Sequence, residues 1–150
     1  MAPRPDLDLS AMGVFGRLVQ VAAMLDPASE AVFARHGLRR GEFDVLAALR
    51  RPGPPYALIP SEMAAELMMS RAGMTSRVDR LEAAGLVERS LDPDDRRSFR
   101  ITLTDKGLRV VDAALGEHAV RLAELSPHLT HEQSRALEDA LRTLTRKLSR

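Results

Sequence analysis

The sequence predicts one mainly α-helical domain carrying a small β-hairpin, and three observations point to that class. Apolar residues recur every three to four positions over most of the 150-residue chain. The period shortens to two only around residues 86–91 and 99–103. Breakers fall where elements should end: Gly37, Pro52-Gly53-Pro54-Pro55, Gly85 and Ser126-Pro127. The chain has no internal repeat, low-complexity tract or domain-sized shift in composition, so residues 1–150 read as a single domain.

The first helix spans about residues 9–36, with Leu9, Met12, Phe15, Val19, Ala22 and Leu25 at helical spacing. Pro27 lacks an N–H and clashes with the carbonyl four residues back, so a kink or restart is expected there, with Asp26 as the new cap. A second helix, about Arg40 to Arg50, buries Phe43, Leu46, Ala47 and Leu49. A short third helix follows Pro60 with Met63, Ala64, Leu67 and Met68. Ser70 is placed to cap a fourth, which ends at Gly85 and turns Met74, Val78 and Leu81 inward. Two strands, Leu86 to Leu91 and Phe99 to Leu103, flank a polar, charged turn. Thr104 opens a long helix to about Leu125, and Thr130-x-x-Gln133 is a capping box for the last, with Leu137, Leu141, Leu144 and Leu148.

Composition excludes some functions and leaves others open. With no cysteine there is no disulfide framework, thiolate zinc site or thiol switch. Residues 1–8 carry two prolines and two aspartates and no apolar run, which reads as neither signal peptide nor membrane anchor and makes the cytoplasm the expected compartment. The net charge is only +1, so the placement of cations matters more than their number.

That placement is informative. A short helix, a tight turn, a second helix and then a charged hairpin form the order of a helix-turn-helix with a wing, whose second helix enters the major groove of double-stranded DNA. The fourth helix turns Ala72, Gly73, Ser76, Asp79 and Arg80 outward, with Thr75 and Arg77 on the flanks. Small residues permit close approach, Ser and Thr bond bases or phosphates, and Arg reads guanine through two donors. The candidate DNA-binding set on this helix is Ser70, Arg71, Gly73, Thr75, Ser76, Arg77 and Arg80. Arg96 and Arg97 at the hairpin tip suit a narrow minor groove, with Asp94 and Asp95 able to orient them. The alternative readings are an amphipathic helix whose arginines are only solvated and a loop of internal salt bridges. Asp92-x-Asp94-Asp95 does not complete a calcium-loop pattern, and the two following arginines oppose a cation, so no metal and no cofactor is expected. His36, His118, His128 and His131 are scattered, and neither a phosphate loop nor a zinc-protease motif is present, so the chain does not read as an enzyme.

Leu81-Glu-Ala-Ala-Gly-Leu-Val-Glu-Arg89, Asp92-Pro-Asp-Asp-Arg-Arg97 and Leu103-Thr-Asp-Lys-Gly107 resemble the MarR family of bacterial winged-helix regulators, over nearly the whole chain. The resemblance implies a homodimer joined through the N- and C-terminal helices, about 9–36 and 105–149, around a DNA-binding lobe at about 40–104. It also implies a repressor of a palindromic operator, at work on the nucleoid. It makes Arg77 a DNA contact, Arg97 the minor-groove arginine and Asp95 its positioning partner. Glu42-Phe-Asp-Val-Leu-Ala-Ala-Leu-Arg50, Gly53-Pro-Pro-Tyr56 and Gly73-Met-Thr-Ser-Arg77 look like the branch that senses urate or related aromatic acids. That likeness implies a small aromatic acid effector held by Asp44, Arg77 and Arg89. The chain lacks the tryptophan of that branch and has Ser70-Arg-Ala-Gly where the branch has Ser-Ser-Gly-Ala. Asp44 also reads as a partly buried residue paired with a neighbouring arginine for stability.

Overall fold

The computed structural model describes residues 8–92 and 98–148. The elements follow in the order α1 (Ser10–Arg35), α2 (Arg40–Arg50), β1 (Ala57–Leu58), α3 (Pro60–Glu66), α4 (Arg71–Ala83), β2 (Val87–Leu91), β3 (Phe99–Leu103), α5 (Asp105–Ala123) and α6 (His131–Leu148), with a 3-10 turn at Ser126–His128. Local chemistry accounts for most of the boundaries. Ser70 accepts the N–H of Gly73 at 3.1 Å to start α4, and Thr104 accepts that of Gly107 at 3.0 Å to start α5. Thr130 and Gln133 close the expected reciprocal box at 2.9 and 3.2 Å.

One expectation is extended and two are corrected. The hairpin is part of a three-stranded antiparallel sheet of order β1-β3-β2, with Ala57 opposite Thr102 and Val87 opposite Leu103. A two-residue strand has no periodicity to detect and exists only because β3 offers it an edge. Pro27 does not restart α1, which is continuous through it. Asp26 accepts from Arg40 at 2.8 Å instead of capping a new helix, and the helix entered from its own preceding turns needs no new cap. The third helix stops at Glu66, which leaves Met68 71% exposed in the turn with φ +50°, instead of on a buried face.

The core lies under the sheet and between α2, α4 and α5. Phe33, Leu46, Leu49, Met63, Met74, Leu81, Ile101 and Val111 are each essentially inaccessible to solvent. Gly107 is where the sheet-side turn meets α5, because a Cβ there would overlap the carbonyl oxygen of Leu86. Thr104 Oγ1 donates to Gly85 O at 2.8 Å and Lys106 Nζ to Ala84 O at 2.7 Å, so the end of α4 is fastened to the start of α5. The Leu-Thr-x-x-Gly sequence is therefore a docking device between those helices. The rest of the fold is left open. Met12, Val14, Phe15, Val19, Val21 and Met24 of α1 are exposed, as are Val120, Leu137 and Leu148, and α6 buries no residue.

Candidate nucleic-acid interface and sensing site

The outward face of α4 is a continuous open surface formed by Arg71, Ala72, Thr75, Ser76, Asp79 and Arg80. It exists because Met74, Val78 and Leu81 take the opposite face into the core. Thr75 Oγ1 donates to the carbonyl of Arg71 at 3.0 Å, leaving its oxygen lone pairs outward. The Ser70 hydroxyl is occupied by its capping bond. A groove of about 550 Å³ runs from this face past Ser61 and Ala64 to Ser98 and Phe99 at the base of the wing.

The carboxylate on this face is neutralised locally. Asp79 is paired with Arg89 of β2, which also lies 3.5 Å from Glu82. Without that pairing Asp79 would repel a phosphate backbone; with it, Arg71 and the exposed end of Arg80, itself paired from below by Glu42, set the character of the surface. The wing residues Asp95, Arg96 and Arg97 lie outside the described residues. In the described part of the hairpin, Asp92 N–H donates to Ser98 O at 3.0 Å, and the Asp92 carboxylate, 5% exposed, is held by Arg100.

Arg77 takes a different direction from Arg80. It is half-buried, donates from Nη1 to Gly73 O at 3.0 Å, and lies over Gly41 of α2, where a Cβ would overlap its guanidinium. Arg77 and Arg40 both act electrostatically on Asp44. Burial pushes the Asp44 carboxyl above its ordinary value; Arg40 and Arg77 oppose that shift, Glu30 adds to it and His118 opposes it. Beside this cluster Phe33 and Phe43 stack at 4.1 Å between ring centroids, and His118 tilts against both at 5.0 and 5.8 Å. Among the described residues, His118 Nδ1 is a buried polar atom without a hydrogen-bond partner. Burial, then the charge of Arg40, hold the His118 imidazole below its ordinary pKa, with Asp44 opposing.

The structure thus places Asp44 within electrostatic reach of Arg77, with no ion pair between them, and leaves Arg89 against α4 with Asp79 and Glu82. It also adds residues that sequence reasoning passed over. Arg40 and His118 act electrostatically on Asp44, Gly41 makes room for Arg77, and Glu42 is a buried carboxylate bonded to Arg80. A glutamate at the third position of a helix is a capping signal, but it goes with Ser or Thr at the cap, and here the cap is Arg39.

Residues 36–98 match the model of the MarR family. The chain is 42% identical over 132 residues to the HTH-type transcriptional regulator PecS of Dickeya dadantii, covering 87% of this chain and 80% of that protein. It is 32% identical over 112 residues to the HTH-type transcriptional regulator YkoM of Bacillus subtilis, covering 75% and 68%. Among solved structures, Sco3205 of Streptomyces coelicolor, a MarR family transcriptional regulator in complex with DNA, superposes with a TM-score of 0.86 at 26% identity, over 98% of this chain and 92% of that one. AbsC, from the same organism, has the same TM-score at 22% identity over 95% and 96%, which shows the shared fold.

Proposed function

This chain belongs to the MarR family of DNA-binding transcription regulators, and from that premise we propose that it is a homodimeric repressor of a palindromic operator, released by a small aromatic or phenolic acid. It would act in the cytoplasm, on the nucleoid. The observation that carries the DNA half is the outward face of α4, small and hydroxylated at its N-terminal end, with Arg71 and Arg80 exposed and its one carboxylate, Asp79, paired. A face of that chemistry fits a major groove, where arginines meet guanine edges or phosphates. The DNA complex of Sco3205 supports the same reading.

The unpartnered apolar faces of α1 and α6 support the dimer. Met12, Val19 and Met24 of α1 are 67–69% exposed and Leu148 of α6 79%, an apolar surface that water disfavours unless another chain covers it. A second copy is the occupant that a two-fold operator requires. Two copies then present two α4 helices to successive major grooves, about 10 bp apart.

Arg77 and Arg40 supply two cations around Asp44, close to the buried rings of Phe33, Phe43 and His118, and an aromatic carboxylate or phenolate would pair with the cations and open that ring packing to seat its own ring. The acid would bind where α2 meets α4, draw Arg77 toward itself and favour a dimer whose two α4 helices no longer match the operator. Arg89 would join the site only by releasing Asp79 and Glu82, which would unmask a carboxylate on the DNA face. A gel-shift titration tests both halves, using a duplex selected by the protein from a random library. Saturable binding of one dimer to a palindrome, reversed by members of a panel of aromatic acids, is expected. Binding that survives the whole panel would remove the effector from the proposal.

A further inference from the structure

We propose that Glu42 is a positioning residue for DNA recognition: from α2 it holds the guanidinium of Arg80 in one orientation on the exposed face of α4. The inference rests on α4 being the helix that reads DNA.

Glu42 is only 7% exposed, and a buried carboxylate is costly unless it is paired. Both of its oxygens are engaged. Oε2 accepts the N–H of Arg39 at 2.8 Å, and Oε1 accepts Nε of Arg80 at 2.7 Å across the α2–α4 boundary. Burial pushes its pKa up, but the Arg80 bond, the Arg39 N–H and the charges of both arginines more than offset this, so the group stays ionised. Arg80 is in turn held a second time, Nη1 donating to Ser76 Oγ at 2.7 Å.

The side chain of Arg80 is 44% exposed while that of Glu42 is 10% exposed, so the pair spans the surface with the anchor inside and the cation outside. A free surface arginine samples many rotamers and loses that freedom on binding. Here two of its five N–H donors are committed before DNA arrives, and three remain for a partner. A guanidinium fixed in this way meets one geometry of acceptors well and others poorly. A loose one settles on any phosphate. Glu42 therefore contributes selectivity, and its negative charge opposes sequence-independent attraction to the backbone.

Helix capping by the same carboxylate would affect stability without affecting the choice of DNA, so selectivity and folding separate the two roles. Wild type, Glu42→Gln, Arg80→Ala and the double variant are titrated by fluorescence anisotropy. The probes are a duplex selected by wild type from a random library and a scrambled duplex of equal composition, at several salt concentrations, with urea unfolding recorded in parallel. Glu42→Gln is expected to lower the selected-to-scrambled ratio about tenfold while affinity for the scrambled duplex holds or rises, with a salt slope steeper by about one. Arg80→Ala should lower the ratio comparably, and Glu42→Gln should add nothing in that background. A ratio unchanged by Glu42→Gln, or lowered by the same factor with Arg80 already absent, overturns the proposal. If Glu42→Gln does not fold, Glu42→Asp decides, since it keeps the charge but withdraws it from Arg80; full selectivity in that variant is equally fatal. A wild type that prefers neither duplex would instead overturn the assignment of α4 as the reading helix, and this inference with it.

Discussion

The guanidinium of Arg77 occupies the space that a Cβ on Gly41 would fill. One missing side chain on α2 thus makes room for an arginine of α4, whose charge, after that of Arg40, acts on Asp44. Replacing Gly41 by Ala places the new methyl against the flexible end of Arg77, which can swing away, and removes a glycine from the first turn of α2, a gain smaller than the about 1 kcal/mol of a helix interior. The variant is expected to fold with wild-type stability or better. With Arg77 displaced, the Asp44 carboxyl should titrate higher than in wild type. Carboxyl-detected NMR titration measures this, and an unmoved Asp44 would show that Arg77 does not set its charge environment.

Gly107 presents the opposite case, because what stands in the way is backbone. A Cβ there meets the Leu86 carbonyl, which is held by the Thr104 N–H at 3.1 Å and cannot swing aside. Gly107→Ala should destabilise by about 1–3 kcal/mol or more despite its helical position. Urea unfolding is the measurement; a change within error of zero would mean that the α4–α5 junction yields freely.

Two carboxylates two positions apart on α2 should respond to pH in opposite senses. The Glu42 pKa is lowered from its ordinary 4.5, so its contribution is present above that pH and is lost as pH falls through the folded value. The Asp44 pKa is raised from 3.8, so the folded chain holds that proton more tightly and stability falls as pH rises from 3.8 through the folded value. At pH 7, Glu42→Gln should therefore be less stable than wild type, by roughly 1–3 kcal/mol for a charge-assisted hydrogen bond. Asp44→Asn should be more stable. Both differences should shrink as the pH approaches 3, and parallel stability curves for the three proteins would contradict the two shifts.

The exposed apolar residues of α1 and α6 provide a test of assembly. Phe15→Glu combined with Leu137→Glu places charge where a partner helix would have to cover it, at a cost of several kcal/mol. Sedimentation equilibrium should show monomer at micromolar concentration, with helical circular dichroism retained because neither side chain belongs to the core. A dimer of unchanged affinity would place the interface elsewhere.

Much of this molecule was readable because it is locally determined. The buried face of α4, the Ser70 and Thr104 caps and the Thr130–Gln133 box each depend on residues within a turn or two of one another. Short-range sterics and hydrogen bonding are encoded in adjacent letters. The resemblance to winged-helix regulators adds the order of the elements. The tertiary structure decided what depends on residues far apart in the chain. β1 exists only opposite Thr102 and Ile101. Arg77 turns inward because position 41 is empty, and Arg80 stays outward because Glu42, 38 residues away, bonds it. Arg89 braces Asp79 and Glu82 instead of joining Asp44. An arginine reaches several ångströms in any direction, and only packing chooses among them. The sequence by itself therefore determined which helix carries an open polar face; the fold decided which arginine on that helix faces outward and which faces the core.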